Sequence, residues 1–259
     1  MNQERSFAPA TIDNSDEIQN IRRRYERRKR TADPWRCDIL NPSVYMLVQE
    51  RERALIRWIK RSSIAPVSEK RLLEIGCGGG ENLLQLIQLG FEPRNLVGNE
   101  LLEERAFHAR QILPRDVRII VGDAAELGFA DHLFDIVYQS TVFSSILDKS
   151  FKVRLANRMW SWIRPGGGLL WYDFVVDNPC NPDVSGLPLN RIRELFPTGE
   201  VTAWRITLAP PISRLVCLVH PFLYTLFNAL PLVRTHILCW IRKPMGVPPS
   251  DPTKVTARQ

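Results

Sequence analysis

At 259 residues and 44% hydrophobic side chains, the chain can bury the core of one large domain with appendages. Five scattered cysteines (Cys37, Cys77, Cys180, Cys217 and Cys239) contain no Cys-x-x-Cys pair, which argues against a metal centre or a disulfide framework and for a reducing, cytoplasmic setting. The polar, acidic start MNQERSFAPATIDNSDE is not a secretory signal, and a net charge of +7 points to anionic partners.

In chain order, residues 1–16 read as disordered and 17–62 as an N-terminal helical cap. The cap holds a helix from Glu17 to about Arg30, whose segment IRRRYERRKR carries seven basic side chains and one acid. TADPW breaks it, and an amphipathic helix follows over NPSVYMLVQERERALIRWIKRS, with Pro42 near its start. A domain over 63–244 then alternates predicted strands at 71–75, 95–99, 117–121, 133–139 and 167–173 with helices at 80–89, 102–112 and 150–162. That alternation implies a doubly wound, mostly parallel α/β sheet covered on both faces. LNRIRELFP reads as a short helix, and VTAWRITLA and THILCWIRK as two strands. Between these strands residues 210–234 are apolar and far longer than the ~2–5 residues of a hairpin loop, so they form an insertion. The tail 245–259, rich in Pro, Ser and Thr, reads as disordered.

The stretch LLEIGCGGGENLL, 72–84, feeds a strand into a helix through glycines, an arrangement that cradles a ligand at a helix N-terminus. It lacks the Gly-Lys-Ser/Thr ending of a P-loop, and Glu81 stands where a dinucleotide fingerprint needs its third glycine. Glu74, Glu100 and Asp123 close the first three strands, and such carboxyl ends gather at the switch point where ligands bind. Three acids suit hydroxyl and ammonium groups better than a string of phosphates. Glu100 can accept both ribose hydroxyls and Asp123 an adenine amino group, while the glycines admit an amino-acid end. S-adenosylmethionine combines these parts.

LLEIGCGGG, LVGNELLEERAFHAR, VGDAAELGFADHLFDIVYQSTVFSSI and WIRPGGGLLWYDF together resemble the class I S-adenosylmethionine-dependent methyltransferases in order and spacing over 71–174. The resemblance implies a seven-stranded Rossmann-like sheet with its last strand antiparallel. It also implies S-adenosyl-L-methionine as cofactor and S-adenosyl-L-homocysteine as product. It places Glu74, Gly76, Cys77, Gly78, Gln139 and Ser140 at the methionine end, Glu100 and Leu101 at the ribose, and Asp123 and Ala124 at the adenine. Structural alternatives stay open: glycines serving packing alone, carboxylates serving as helix caps, and Cys77 as a small filler. Ser144 and Ser145 stand where many relatives with small or lipid acceptors carry His-His, which blurs the acceptor class.

Methyl transfer is an in-line displacement, so the protein mainly positions an acceptor and excludes water. Asp173, ending the predicted fifth strand in WYDF, is the expected general base for a hydroxyl acceptor, facing the cleft; a turn or cap carboxylate is the alternative. Tyr25 and Tyr45 are expected on a lid over the cleft, with Asn178, in the turn-rich DNPCNPDVSG, and His220 as further substrate contacts. The C-terminal part resembles methyltransferases of bacterial surface-saccharide synthesis, implying a sugar or glycolipid-like acceptor. A natural-product or quinone-type small molecule is the runner-up, and a non-catalytic cofactor-binding scaffold the remaining alternative. No base-flipping motif accompanies the basic run, which argues against nucleic acid. Pro221 and Pro231 cut the insertion, so it is expected to pack on the sheet edge or another subunit rather than span a membrane; peripheral contact with a membrane or lipid-linked substrate is the minority expectation.

Overall fold

A computed structural model describes residues 14–31, 33–36, 38–178 and 181–245. The expectations for most of 1–16 and of 245–259, and for Cys37 and Cys180, lie outside the described residues. Helix α1 spans Asn14–Thr31 and α2 Pro42–Arg61. Strand β1 (Leu72–Ile75), helix α3 (Glu81–Gln88), β2 (Leu96–Glu100), α4 (Glu103–Ile112), β3 (Arg118–Val121), β4 (Phe134–Ser140), α5 (Lys149–Trp162) and β5 (Ile163–Phe174) alternate as expected. Helix α6 (Leu189–Leu195), β6 (Glu200–Leu208), α7 (Pro210–Val219), α8 (Phe222–Asn228) and β7 (Arg234–Arg242) complete the fold.

The seven strands form one sheet in the order β3-β2-β1-β4-β5-β7-β6. β7 runs antiparallel between β5 and β6, while β1 to β5 are parallel. Parallel strands covered on both faces read as continuous apolar runs, and β1 is buried at every position. One face buries Val137, Leu169 and Trp171 with Leu155, Met159 and Trp162 of α5. The other buries Ile136, Leu170 and Leu238 beneath Leu55 and Trp58 of α2 and Leu83 and Leu86 of α3. Trp58 tilts against Trp240 at 5.4 Å, joining α2 to the antiparallel strand. α2 begins where the sequence puts it, because Asn41 caps the Ser43 N–H and Pro42 needs no partner at the first helical position.

Two boundaries differ by three residues or more. α1 starts at Asn14, so residues 14–16 are helical rather than disordered, with Asp16 and Glu17 in its first turn where acids suit the helix dipole. β5 starts at Ile163 rather than at 167: Ile163 pairs with Phe134, the register then shifts, and Gly166, at φ +80°, supplies the left-handed residue that the kink needs. The insertion is two short helices, not a span; among the described residues no helix is long and apolar enough to cross a membrane. Its inner side, Val216, Cys217 and Tyr224, packs against Leu208 and Met46.

Candidate active site

The carboxyl ends of β1, β2 and β4 open on one cavity, walled by Ile75, Gly76, Glu100, Leu101, Asp123, Ala124, Ser140 and Thr141. Strand alternation decides which residues reach it. Ile75 turns to the cavity, so Glu74 turns to the α3 face, where it is fully buried and Asn82 Nδ2 donates to its Oε1 (2.7 Å). Gly76, at φ +66°, has no Cβ; one there would sit 2.5 Å from Val142 Cγ2, so only glycine lets the loop pass.

Glu100 organises the floor. Its Oε2 accepts the Gly78 N–H (2.8 Å) and its Oε1 the Leu102 N–H (2.9 Å), which ties the glycine loop to the start of α4. Two lone-pair positions remain on the carboxylate for ligand hydroxyls. Arg105 of α4 lies beside it. Burial works to lower the Arg105 pKa, but Glu100 and then Tyr25 outweigh it and hold the guanidinium charged. Asp123 caps the turn at 124–126 by accepting the Ala125 N–H (2.8 Å) and also walls the cavity; burial raises its pKa against that hydrogen bond.

Helix α1 roofs the cavity with Ile18, Ile21 and Tyr25. Arg105 and Arg28 lie over the Tyr25 ring, 5.3 and 5.2 Å from its centroid. Arg24 joins Glu17 (2.8 Å) to the Ser145 carbonyl (3.1 Å), and Glu17 accepts the Leu147 N–H (2.8 Å). Lys29 pairs with Glu104 (2.6 Å), and Arg27 and Arg28 with Asp183. With α1 down, the cavity holds about 100 Å³, less than the roughly 300 Å³ at the low end of ligand pockets.

Seven of the expected site residues therefore meet: Tyr25, Gly76, Glu100, Leu101, Asp123, Ala124 and Ser140. The others do not reach the cavity. Glu74 is turned behind the loop; Cys77 packs its sulfur against Gly98, and burial pushes its thiol pKa up, as a filler rather than a nucleophile. Gly78 contributes its N–H to Glu100, not to the cavity wall. Gln139 is locked beneath the wall, its Oε1 accepting the Val142 N–H (3.0 Å). Asp173 is fully buried on the Trp171 face of β5, its oxygens accepting the N–H groups of Ser144 (3.1 Å) and Phe174 (2.9 Å). Burial raises its pKa to about 6. Asp173 holds the turn at 143–145 and does not line the cavity. Tyr45 is exposed on α2 and accepts from Gln49 (2.6 Å). His220 ends α7 and takes the Phe222 N–H (3.1 Å), and Asn178 lies exposed on its loop.

Sequence reasoning missed Arg105, Thr141 and the apolar wall of Phe151 and Leu155. Arg105 sits in a polar helix that reads as a solvated face, and the bare Cβ position of Gly78, 2.5 Å from its Nη2, is the only local sign of its approach. Thr141 at φ +57° is the strained residue that turns the chain from β4 toward the cleft.

A glycine loop, a carboxylate with spare lone pairs, an acid at the third strand end and a Rossmann-like sheet ending in an antiparallel strand together define the class I S-adenosylmethionine-dependent methyltransferase superfamily. Residues 72–167 match the family described as the methyltransferase domain, which together with the fold supports that superfamily for this chain. It is 29% identical over 118 residues to the tRNA N(3)-methylcytidine methyltransferase Mettl2 of Drosophila melanogaster, covering 42% of this chain and 36% of that protein. It is 31% identical over 130 residues to the 27-O-demethylrifamycin SV methyltransferase of Amycolatopsis mediterranei (strain S699), covering 48% and 45%. The chain thus spans less than half the length of either relative. Among solved structures, a SAM-dependent methyltransferase from Archaeoglobus fulgidus aligns at TM-score 0.53 and 17% identity over 77% of this chain and 99% of that one. The cyclase SpnF aligns at TM-score 0.55 and 16% over 76% and 83%. At such identities the likeness is one of fold.

S-adenosylmethionine is the cofactor that this domain family and fold imply. The donor set fits it. Glu100 presents free lone pairs to the cavity, and Leu101 and Ala124 offer apolar walls beside Asp123.

Proposed function

We propose that the protein is an S-adenosylmethionine-dependent methyltransferase that methylates a hydroxyl of a sugar, glycolipid-like or other small acceptor. The observation that carries this reading is the convergence of Gly76, Glu100, Asp123 and Ser140 on one roofed cavity at the strand carboxyl ends. The bound cofactor supplies a methyl group already activated by its sulfonium. Glu100 fixes the ribose and, through Gly78 and Leu102, the shape of the loop. Ile18, Ile21 and Tyr25 exclude water from above. Ser140, Thr141 and Ser145 give the cleft a rim of hydroxyls suited to a polyhydroxyl acceptor. The loop 181–187 lies against that rim, Ser185 N–H donating to the Ser144 carbonyl (2.8 Å). With Asp173 committed to backbone N–H groups, rate enhancement rests on positioning and desolvation more than on a strong base. The rifamycin relative, whose name describes methylation of a demethylated small molecule, supports a small acceptor.

The test is methyl transfer from labelled S-adenosylmethionine across sugars, lipid-linked sugars, quinones, phenols and tRNA. Transfer to a sugar or small-molecule hydroxyl is expected. Transfer to tRNA alone would replace the acceptor class. Tight cofactor binding with no transfer to any of them would favour a non-transferring use of the fold, as the cyclase neighbour illustrates.

A further inference from the structure

The insertion between β6 and β7 buries one side and leaves the other bare. Leu218 is 84% exposed, Phe222 64%, Leu226 57% and Leu232 92%. Apolar groups this exposed and this close together mark an interaction surface on a folded protein. Along α8 the exposed arc begins at Thr225 and continues through Phe222 and Leu226, one turn apart.

Thr225, with Asn228 and Ala229, also forms one wall of a second cavity, of about 310 Å³, whose other walls carry Arg53 and Arg57 of α2, Arg205 of β6 and Arg234 of β7. The one carboxylate there, Glu50, accepts from the Thr207 N–H (3.0 Å), the Tyr224 hydroxyl (2.5 Å) and Asn228 Nδ2 (2.6 Å), and offsets one of the four positive charges. Arg234 spends two of its donors on the carbonyls of Asn228 (2.8 Å) and Arg205 (3.0 Å). Among the described residues no carboxylate forms an ion pair with any of these four arginines. A concentrated positive charge therefore borders an unpartnered apolar face, both sharing α8.

We propose that the α7–α8 face and the adjoining arginine cavity dock the protein on an anionic lipid bilayer, with the apolar side chains in the headgroup–acyl boundary and the arginines on lipid phosphates. Each alternative occupant satisfies only half of this surface. A second copy meeting it face to face would bring two positive clusters together. A nucleic acid would meet the arginines and could stack a base on Phe222, but would leave Leu218, Leu226 and Leu232 in water. A bilayer meets both, and short helices lying in its interface need no spanning length.

The experiment is sedimentation of the full-length chain with vesicles of phosphatidylcholine alone and of equal parts phosphatidylcholine and phosphatidylglycerol. Binding to the anionic vesicles is expected to be at least ~10-fold tighter than to neutral ones, given ~1 kcal/mol for each arginine near the surface. Both the Leu218→Ser/Leu226→Ser and the Arg57→Gln/Arg205→Gln variants are expected to lose it, while circular dichroism and S-adenosylhomocysteine binding stay unchanged. The basic face of α1 is intact in both variants, so wild-type binding by either one assigns the attraction to α1 and overturns the proposal. So does failure of the wild type to sediment with anionic vesicles, equal sedimentation with both kinds, or a lipid-free dimer that the leucine variant turns into monomer. The readout involves no methyl transfer, so it stands or falls apart from the acceptor assignment.

Discussion

Glu100 is at once a ligand contact and a structural tie, and comparing two substitutions separates these roles. Glu100→Ala leaves the Gly78 and Leu102 N–H groups without their acceptor, the first buried and the second partly so. At about 1–3 kcal/mol for each orphaned donor, the loss of stability is about 2–4 kcal/mol, the lower half of the range reflecting the partial access of Leu102 to water. For a chain of this length that lowers the melting temperature by roughly 5–15 °C. Glu100→Gln keeps the shape and one acceptor but turns an amide donor toward the other N–H and removes the charge facing Arg105. Its stability cost is about 1–2 kcal/mol, while its affinity for S-adenosylhomocysteine falls by about 1–3 kcal/mol, or roughly 5- to 150-fold, because the ribose hydroxyls lose a charged acceptor. Differential scanning calorimetry and titration calorimetry on both variants measure the two quantities. Unchanged ligand affinity in a folded Glu100→Gln protein would refute the assignment of Glu100 to the ribose, and an Ala variant as stable as wild type would refute its role as a tie.

Gly76→Ala forces a left-handed alanine at about 1–2 kcal/mol and an overlap with Val142; adding Val142→Ala should recover only the overlap, as urea unfolding of the single and double variants will show. Tyr25→Ala removes the ring near Arg28 and Arg105, contacts of about 0.5–1 kcal/mol each, and should speed S-adenosylhomocysteine release about 5- to 30-fold in stopped flow. Asp173→Ala should cost about 2–4 kcal/mol by orphaning the Ser144 and Phe174 N–H groups, checked by thermal unfolding. Burial raises Glu74 from 4.5 to about 8. A carboxyl whose folded pKa is raised stabilises fully below its unfolded value and loses that contribution as pH climbs to the folded one. From this group wild-type stability should therefore fall by about 1.4 kcal/mol per pH unit over that window. Glu74→Gln, isosteric with the protonated form, should lack the slope in urea unfolding across the same pH range.

The sheet was legible because parallel strands buried on both faces read as largely apolar runs, and LLEI and FDIVYQ are such runs, each broken only by single polar residues. The cofactor floor was legible where backbone geometry demands one residue type, as at Gly76, or where a strand end places an acid, as at Glu100 and Asp123. What failed was the face of the strand. Glu74, Gln139 and Asp173 each lie one residue before a strand end, and the pleat turns them under the loop or the turn at 143–145 rather than into the cavity. Whether an acid at a strand end serves a ligand or the backbone depends on which N–H groups the next turn brings within reach, and that turn is set by tertiary contacts. Arg105 was invisible for the same reason: its guanidinium is drawn to the site by Glu100 and Tyr25, which lie far from it along the chain or on another element.

The roof over the cavity also sets a timetable. About 100 Å³ is left beneath α1, so holding a cofactor-sized ligand there calls for that helix to give way. Much of what holds it down is electrostatic: Lys29 to Glu104, and Arg27 and Arg28 to Asp183, with the first of these pairs open to solvent. Dissolved ions screen such exposed pairs over about 8–10 Å. Dissociation of the spent cofactor should thus quicken with ionic strength even as the chemistry beneath stays the same, making the salt concentration around the protein a throttle on its turnover.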